Sequence, residues 1–339
     1  MVLDLNTQST RREDRLLHQP IFLQEILAQL VQPKARYVDG TLGDGGHAKA
    51  LLSASDEQSR LIGIDLDTEG HVRAKQELSS FGERVQVVHN TFANIDEVVK
   101  QASWESVTGI LFDLGMSTHH LQAERGFSFK NQGSLDMRFD PTGTIALPEP
   151  TAGYLKRIFR KIPNYSAKDL LNNLHEDELA DLIGKYGEEV FAGRIAGGIV
   201  LERRNGDIDS VPQLTQIILR AYPGAKRHGR IHIATKTFQA LRIAVNREYE
   251  TLQIAIKKSL AILAEGGKLA IISFHSGEDR IVKQMFRETS QDENFTLLTK
   301  HPIKPTFQEV RSNLWSRSAK LRIIEKIKLY KQNDNLFDK

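Results

Sequence analysis

The 339-residue chain contains no cysteine. Disulfides, thiolate zinc sites and cysteine nucleophiles are therefore excluded. A reducing compartment fits: the expectation is the cytoplasm, with an organellar stroma or matrix as the alternative. Long apolar runs are missing as well. No stretch approaches the roughly 18 residues of a membrane span, and the polar segment Met1 to Arg15 lacks the apolar core of a secretory signal. Charge of one sign is not in excess, with 46 Lys and Arg against 43 Asp and Glu, a net +3. No internal repeat is visible. What remains is an ordinary globular composition, 40% hydrophobic and 26% charged, in a length that allows two domains or one large one.

The positive charge is local. Tyr154-Leu-Lys-Arg-Ile-Phe-Arg-Lys161 and Lys226-Arg-His-Gly-Arg-Ile-His232 are basic runs. Such runs attract phosphate backbones or simply form solvated surface, and the composition leaves both readings open.

Hydrophobic spacing predicts a helix over 18–30, ended by Pro33. Strands are expected near 36–39, 61–65, 85–89 and 109–114, with helices at 47–52 and after Thr68. This βαβαβ rhythm implies a parallel sheet. It then breaks: residues 122–225 show helical patterns and no convincing strand. One long helical pattern over 234–263 is closed by Gly266 and Gly267. A fifth strand at 268–273 follows, with two more at 295–299 and 321–325. The expected architecture is an α/β domain interrupted by a mostly helical insert after its fourth strand. Its expected boundaries are a tail at 1–17, a cofactor domain at 18–121 and 226–326, a helical insert at 122–225 and a tail at 327–339.

The segment Tyr37-Val-Asp-Gly-Thr-Leu-Gly-Asp-Gly-Gly-His47 runs from a strand into a glycine turn, and Asp65 ends the next strand. This is a nucleotide-type cofactor pattern. No Gly-Lys-Ser/Thr follows, so it is not a P-loop. An acid within the turn, Asp44, would repel a pyrophosphate, whereas the cationic sulfonium of S-adenosylmethionine tolerates it. Gly45 and Gly46 let the backbone approach a ligand. Asp65 suits ribose hydroxyls, Phe92 can wall an adenine, and Asp113 ends the fourth strand where ligands bind. Each also has an ordinary structural reading as a turn, helix entry or core position.

Seven blocks carry a resemblance: the glycine turn, Asp113-Leu-Gly-Met-Ser117, Arg125-Gly-Phe-Ser-Phe129, Leu135-Asp-Met-Arg-Phe-Asp-Pro141, Phe238-Gln-Ala-Leu-Arg-Ile-Ala-Val-Asn246, Ser273-Phe-His-Ser276 with Glu278-Asp-Arg280, and Ser316-Arg-Ser-Ala-Lys320. Together, over about 18–325, they resemble the bacterial 16S rRNA (cytosine-N4)-methyltransferases of the RsmH, or MraW, type. The resemblance implies a class I (Rossmann-like) methyltransferase sheet with an inserted, mostly helical domain, S-adenosylmethionine as cofactor, and methylation of one cytidine amine in the decoding region of 16S rRNA in the small ribosomal subunit. It implies cofactor contacts at Gly45, Gly46, His47, Asp65, Phe92, Asp113 and His120, the last standing where the family usually has glutamine. His232-Ile-Ala-Thr-Lys236 and Gly277 are further departures, and the basic stretch over 145–165 suggests an extra helix.

The missing thiolate bears on the chemistry. Methylating carbon 5 of a pyrimidine generally needs a covalent thiolate adduct, whereas an exocyclic amine can attack a sulfonium methyl directly once oriented. Asp113 is the candidate catalytic residue, and Asp136, Arg138 and His275 come second. An Asp–Arg pair holding a loop and a helix cap are the structural alternatives for those three. Phe127 and Phe129 are candidates to flank a base taken out of its stack. Arg227, Arg230, Lys236, Arg317 and Lys320 are expected phosphate contacts. No metal ligand set is apparent, no membrane partner is expected, and monomer and homodimer both remain open. The rival functions are methylation of another RNA, a protein or a small molecule, a non-catalytic nucleic-acid-binding fold, and a nicotinamide-dependent oxidoreductase.

Overall fold

The computed structural model describes residues 20–227 and 232–327. The expected tails lie outside the described residues, apart from Ile327. The chain divides into two compact units, one of 1–65, 69–115 and 255–339, the other of 66–68 and 116–254.

The first unit holds α1 (Leu23–Leu30), β1 (Arg36–Asp39), α2 (Gly46–Ser53), β2 (Arg60–Asp65), α3 (Thr68–Glu77, from Glu69 onward), β3 (Val85–His89), α4 (Ile95–Gln101) and β4 (Val107–Asp113). Strand β5 (Leu263–Ser273), α13 (Ser276–Thr289), β6 (Phe295–Leu297), α14 (Phe307–Ser312) and β7 (Lys320–Lys326) complete it. The sheet order is β3-β2-β1-β4-β5-β7-β6. Strands β1 to β5 pair in parallel, and β7 runs antiparallel to both β5 and β6. This is the doubly wound sheet expected from the alternating pattern. Short apolar strands form it because both faces are covered, so Tyr37, Val38, Ile62, Ile110, Phe112 and Ile271 are all essentially buried. Gly109 is required here, since a Cβ on it would lie 2.9 Å from the Tyr37 ring.

The direction of the strands positions the site. The carboxyl ends of β1, β2, β4 and β5 (Asp39, Asp65, Asp113 and Ser273) share one edge of the sheet, and the antiparallel β7 begins at that edge, with Lys320 paired to Ser273. In open α/β sheets this is the ligand-binding edge.

The second unit contains α5 (Thr118–Gln122), α6 (Gly153–Lys161), α7 (Ala167–Asn173), α8 (Glu176–Gly187), α9 (Ala192–Glu202), α10 (Val211–Ala221) and α11 (Thr235–Asn246). Helix α12 (Glu248–Ile262) contains the boundary, between Ile254 and Ala255. Its core is apolar and helical, built on Leu170, Leu182, Ile195, Ile199, Leu214, Ile218 and Leu241. Helix α7 starts on a reciprocal cap: the Ser166 hydroxyl accepts the Asp169 N–H, and the Asp169 carboxylate accepts that of Ser166. Helix α6 falls in the stretch expected to add one.

Three features differ from the sequence expectation. The second unit spans 116–254 rather than 122–225, because the apolar side of α11 (Phe238, Leu241, Val245) belongs to the helical core. The long pattern over 234–263 is two helices, broken at Arg247, which takes the left-handed conformation with φ 50°. Its guanidinium lies 4.5 Å from the Phe159 ring centre and donates to the carbonyl oxygens of Leu147 and Pro163. Those contacts offset the backbone strain. Finally, β5 starts at Leu263, with a register shift opposite Val107–Gly109 and Gly266 at φ 74°, so the glycines mark a bulge inside the strand.

Candidate functional site

Strand β1 turns sharply at its end to enter α2. Gly43 and Gly45 have φ of 51° and 85°, and Gly45 is the N-cap of α2 with no side chain capping it. Backbone N–H groups are thereby left at the sheet edge. The turn is fixed from β2, where Asp65 Oδ2 accepts the Gly43 N–H at 2.7 Å. It is fixed from β4 as well, where the Asp113 N–H donates to Thr41 Oγ1 at 2.6 Å. Phe92 follows β3, and its ring centre lies 5.1 Å from that of Phe112. A Cβ on Gly40 would come within 2.3 Å of the Phe112 ring and 3.1 Å of Phe92 Cβ. Six of the seven expected cofactor residues (Gly45, Gly46, His47, Asp65, Phe92 and Asp113) thus converge on one edge of the first unit.

The electrostatics centre on Asp39 and His47, which are buried, and on Asp113, whose side chain is 27% exposed. Asp39 is 1% exposed. Burial pushes its carboxyl up to about 7, opposed by His47 and the Thr41 N–H and reinforced by Asp113 and Asp65. Asp113 is likewise pushed up to about 7, by burial and then by the Glu278 charge. Burial pushes His47 down against the pull of Asp39 and its bond to Ile21, so its imidazole is neutral at pH 7. His47 Nε2 lies 2.9 Å from the Ile21 carbonyl oxygen, an acceptor only, so Nε2 carries the proton. Nδ1 is then an acceptor aimed at Asp113 Oδ2, 3.6 Å away. A proton on Asp113 keeps two acceptors from facing each other. Asp113 Oδ1 is buried with no hydrogen-bond partner. An orphaned carboxylate oxygen beside an uncapped helix N-terminus and a glycine turn suits a ligand that carries a cation and polar hydrogens.

The remaining expected residues fall as follows. His120 belongs to the second unit. It closes a reciprocal cap with Ser117, its Nε2 lies 3.5 Å from Asp67 Oδ2, and its ring packs against Phe127 and Phe139. Phe127 is buried and stacked on Phe139. Phe129 stacks on His232 with ring centres 4.1 Å apart. Asp136 and Arg138 form a two-pronged pair at 2.7 Å, with Arg138 also donating to the Asn164 carbonyl. Burial favours the neutral acid at Asp136, but Arg138 holds its carboxyl below the usual range. The pair clamps its loop. His275 caps α13, where its Nδ1 faces the Glu278 N–H and the Glu278 carboxylate accepts the Phe274 N–H. That is the capping alternative considered for it.

Among the expected phosphate contacts, Lys320 is paired with Asp279 at 2.7 Å, and Lys236 Nζ donates to the Glu188 carbonyl at the end of α8. Arg227 donates to the Tyr222 carbonyl. Arg317 is exposed, and Arg230 lies outside the described residues. Asp39 was not singled out from the sequence. The signal was available, because it ends β1 as Asp65 and Asp113 end β2 and β4.

A doubly wound sheet with acid-tipped strands and a glycine turn leading into a helix defines a class: an α/β protein built around a nucleotide-type cofactor site. The chain matches the model of the MraW methylase family over residues 15–327. It is 42% identical over 311 residues to the ribosomal RNA small subunit methyltransferase H of Persephonella marina, covering 91% of this chain and 99% of that one. It is 41% identical over 328 residues to the protein of the same name from Geobacter sp. strain M21, covering 91% and 98%. With that of Nostoc sp. strain PCC 7120 it is 41% identical over 322 residues, covering 94% and 96%. The chain belongs to the MraW methylase family. Among the described residues, no helix is long and apolar enough to cross a membrane.

Proposed function

We propose that this chain transfers the methyl group of S-adenosylmethionine to the exocyclic N4 amine of a cytidine in the decoding region of 16S rRNA, acting on the small ribosomal subunit in the cytoplasm. The observation that carries the reading is the orphaned Asp113 Oδ1 at the glycine-turn edge of the sheet. The names of the relatives support the substrate class.

The residues divide the work. Gly45 and Gly46 give backbone access at the start of α2. Asp65, already held by the Gly43 N–H, receives the ribose hydroxyls, and Phe92 walls the adenine. His47, held by the Ile21 carbonyl, borders the site beside Asp113, and His120 is the seventh contact. Bound S-adenosylmethionine supplies an electrophilic methyl group on a sulfonium. Asp113 then has two uses in its ionised form: it faces positive charge, and it accepts an N–H from the target amine so that the nitrogen lone pair points at the methyl carbon. No covalent adduct is needed, in keeping with a chain that has no cysteine. Phosphate contacts come from Arg227, Arg230, Lys236, Arg317 and Lys320, with Arg317 the most available of the described ones.

Tritiated methyl transfer to purified small subunits, compared with free rRNA and with protein, tests the reading. Label in the small-subunit RNA is expected. Label in protein, or none with cofactor bound, would overturn it.

A further inference from the structure

Residues 304–320 of the first unit show a surface that the cofactor site does not use. A short 3-10 turn, Leu314–Ser318, leads into β7. Two buried polar residues lock it. Asn313 Oδ1 accepts the Trp315 N–H at 3.1 Å, and the Ser316 hydroxyl, fully buried, donates to the Asn313 carbonyl at 2.7 Å. Ala319 N–H closes the turn onto the Ser316 carbonyl. This locked turn holds Trp315 outward, 55% exposed. Leu314 and Phe307 of the same segment are exposed as well, at 76% and 81%, and exposed apolar residues grouped in this way mark interaction surfaces.

Beside the turn is an open groove of about 390 Å³, lined by Phe274, His275, Lys304, Arg317 and Lys320 among others. Its charge is positive. Among the described residues, no acid pairs with Lys304 or Arg317. The nearby acids are already engaged: Asp279 with Lys320 and Arg322, Glu278 with the Phe274 N–H and His275, and Glu309 with the Phe22 N–H. Topology then fixes the distance to the chemistry. Lys320 pairs with Ser273 at the end of β5, and β5 neighbours β4, which ends at Asp113. Two strand spacings separate β7 from β4, roughly 10 Å.

We propose that the Leu314–Ser318 turn and its groove hold the nucleotides that flank the target cytidine, Trp315 by stacking on a base and Lys304 and Arg317 by pairing with phosphates. This rests on the RNA-methylation reading above. An aromatic face beside cations is the sequence-tolerant way to hold a single strand, and the turn feeds β7, two strands from the one that ends at Asp113, on the side where neighbours of a base taken out of its stack can lie. A protein partner would need carboxylates placed opposite both Lys304 and Arg317 as well as an apolar face, whereas every nucleotide of a single strand brings a base face and a phosphate together.

The chain has two tryptophans, so Trp104→Phe leaves Trp315 as the only one. Titrating that variant with a short single-stranded RNA oligomer should quench its fluorescence. Trp315→Ala should raise the KM for small subunits roughly tenfold, with S-adenosylmethionine affinity unchanged, and Arg317→Glu should flatten the salt dependence of RNA binding. RNA binding with Trp315 fluorescence unmoved, and both variants with wild-type KM, would overturn the proposal. So would a Trp315→Ala variant that loses self-association but keeps RNA affinity, which would assign the face to a second copy. Quenching without methyl transfer by the wild type would refute the methylation reading instead.

Discussion

Asp113 makes cofactor affinity a function of pH. Its carboxyl is raised to about 7 by burial and by Glu278, so near neutrality the apo site is about half protonated at this position. A sulfonium favours the ionised form. Binding therefore releases the proton, and affinity is full above pH 7 and lost as pH falls through 7. For one proton the dissociation constant rises tenfold per pH unit well below that value. At pH 5.5 it should be roughly 30-fold weaker than at pH 8.5. Isothermal titration of S-adenosylmethionine in buffers of different ionisation enthalpy measures both the affinity and the proton count, with about half a proton released at pH 7. Asp113→Asn should bind weakly with a flat profile. Asp39→Asn removes a buried neighbour that repels the ionised Asp113, yet it should keep the pH dependence, because burial and Glu278 are the leading causes of the Asp113 shift. A wild-type affinity constant between pH 5.5 and 8.5, or one that strengthens as pH falls, would refute the reasoning.

Two further outcomes follow from local geometry. Gly45→Ala places a Cβ at φ 85° and 3.1 Å from Leu78 Cδ1; it should cost about 2 kcal/mol in urea denaturation and weaken cofactor binding, and wild-type values for both would show that the turn is not constrained. Asp279→Ala leaves Arg322, 6% exposed, without its partner and should destabilise by about 3–5 kcal/mol. Burial opposes ionisation of Asp279, but Arg322 and Lys320 hold its carboxyl below the usual range. Its contribution is therefore present above the ordinary carboxylate range and is lost in acid, and denaturation at pH 7 and pH 3 separates the two cases.

Local patterns carried most of the fold. The βαβ alternation and the acids ending β2 and β4 are period and composition signals within short windows, and both appear in the sheet where expected. What was not legible depends on distant partners. The break at Arg247 has neither glycine nor proline to mark it, and it is held by Phe159 and by carbonyls about 100 residues earlier in the chain. The boundary at 254 lies inside a continuous helix. Only the packing of Phe238 and Leu241 with the helical core assigns α11 to the second unit. At the candidate site the residue types were legible, but their states were not. That Asp113 keeps an unpartnered oxygen, that His47 is held by Ile21, and that Lys320 is bound to Asp279 are consequences of burial and register.

The central claim is transfer to a cytidine amine in small-subunit rRNA. Mass spectrometry of nucleosides and fragments from 16S rRNA, taken from small subunits incubated with the chain and deuteromethyl-labelled S-adenosylmethionine, tests it most directly. The account predicts one labelled methyl on the N4 of a single decoding-region cytidine, absent with Asp113→Ala. Label on carbon 5, on another base or on ribosomal protein would contradict it.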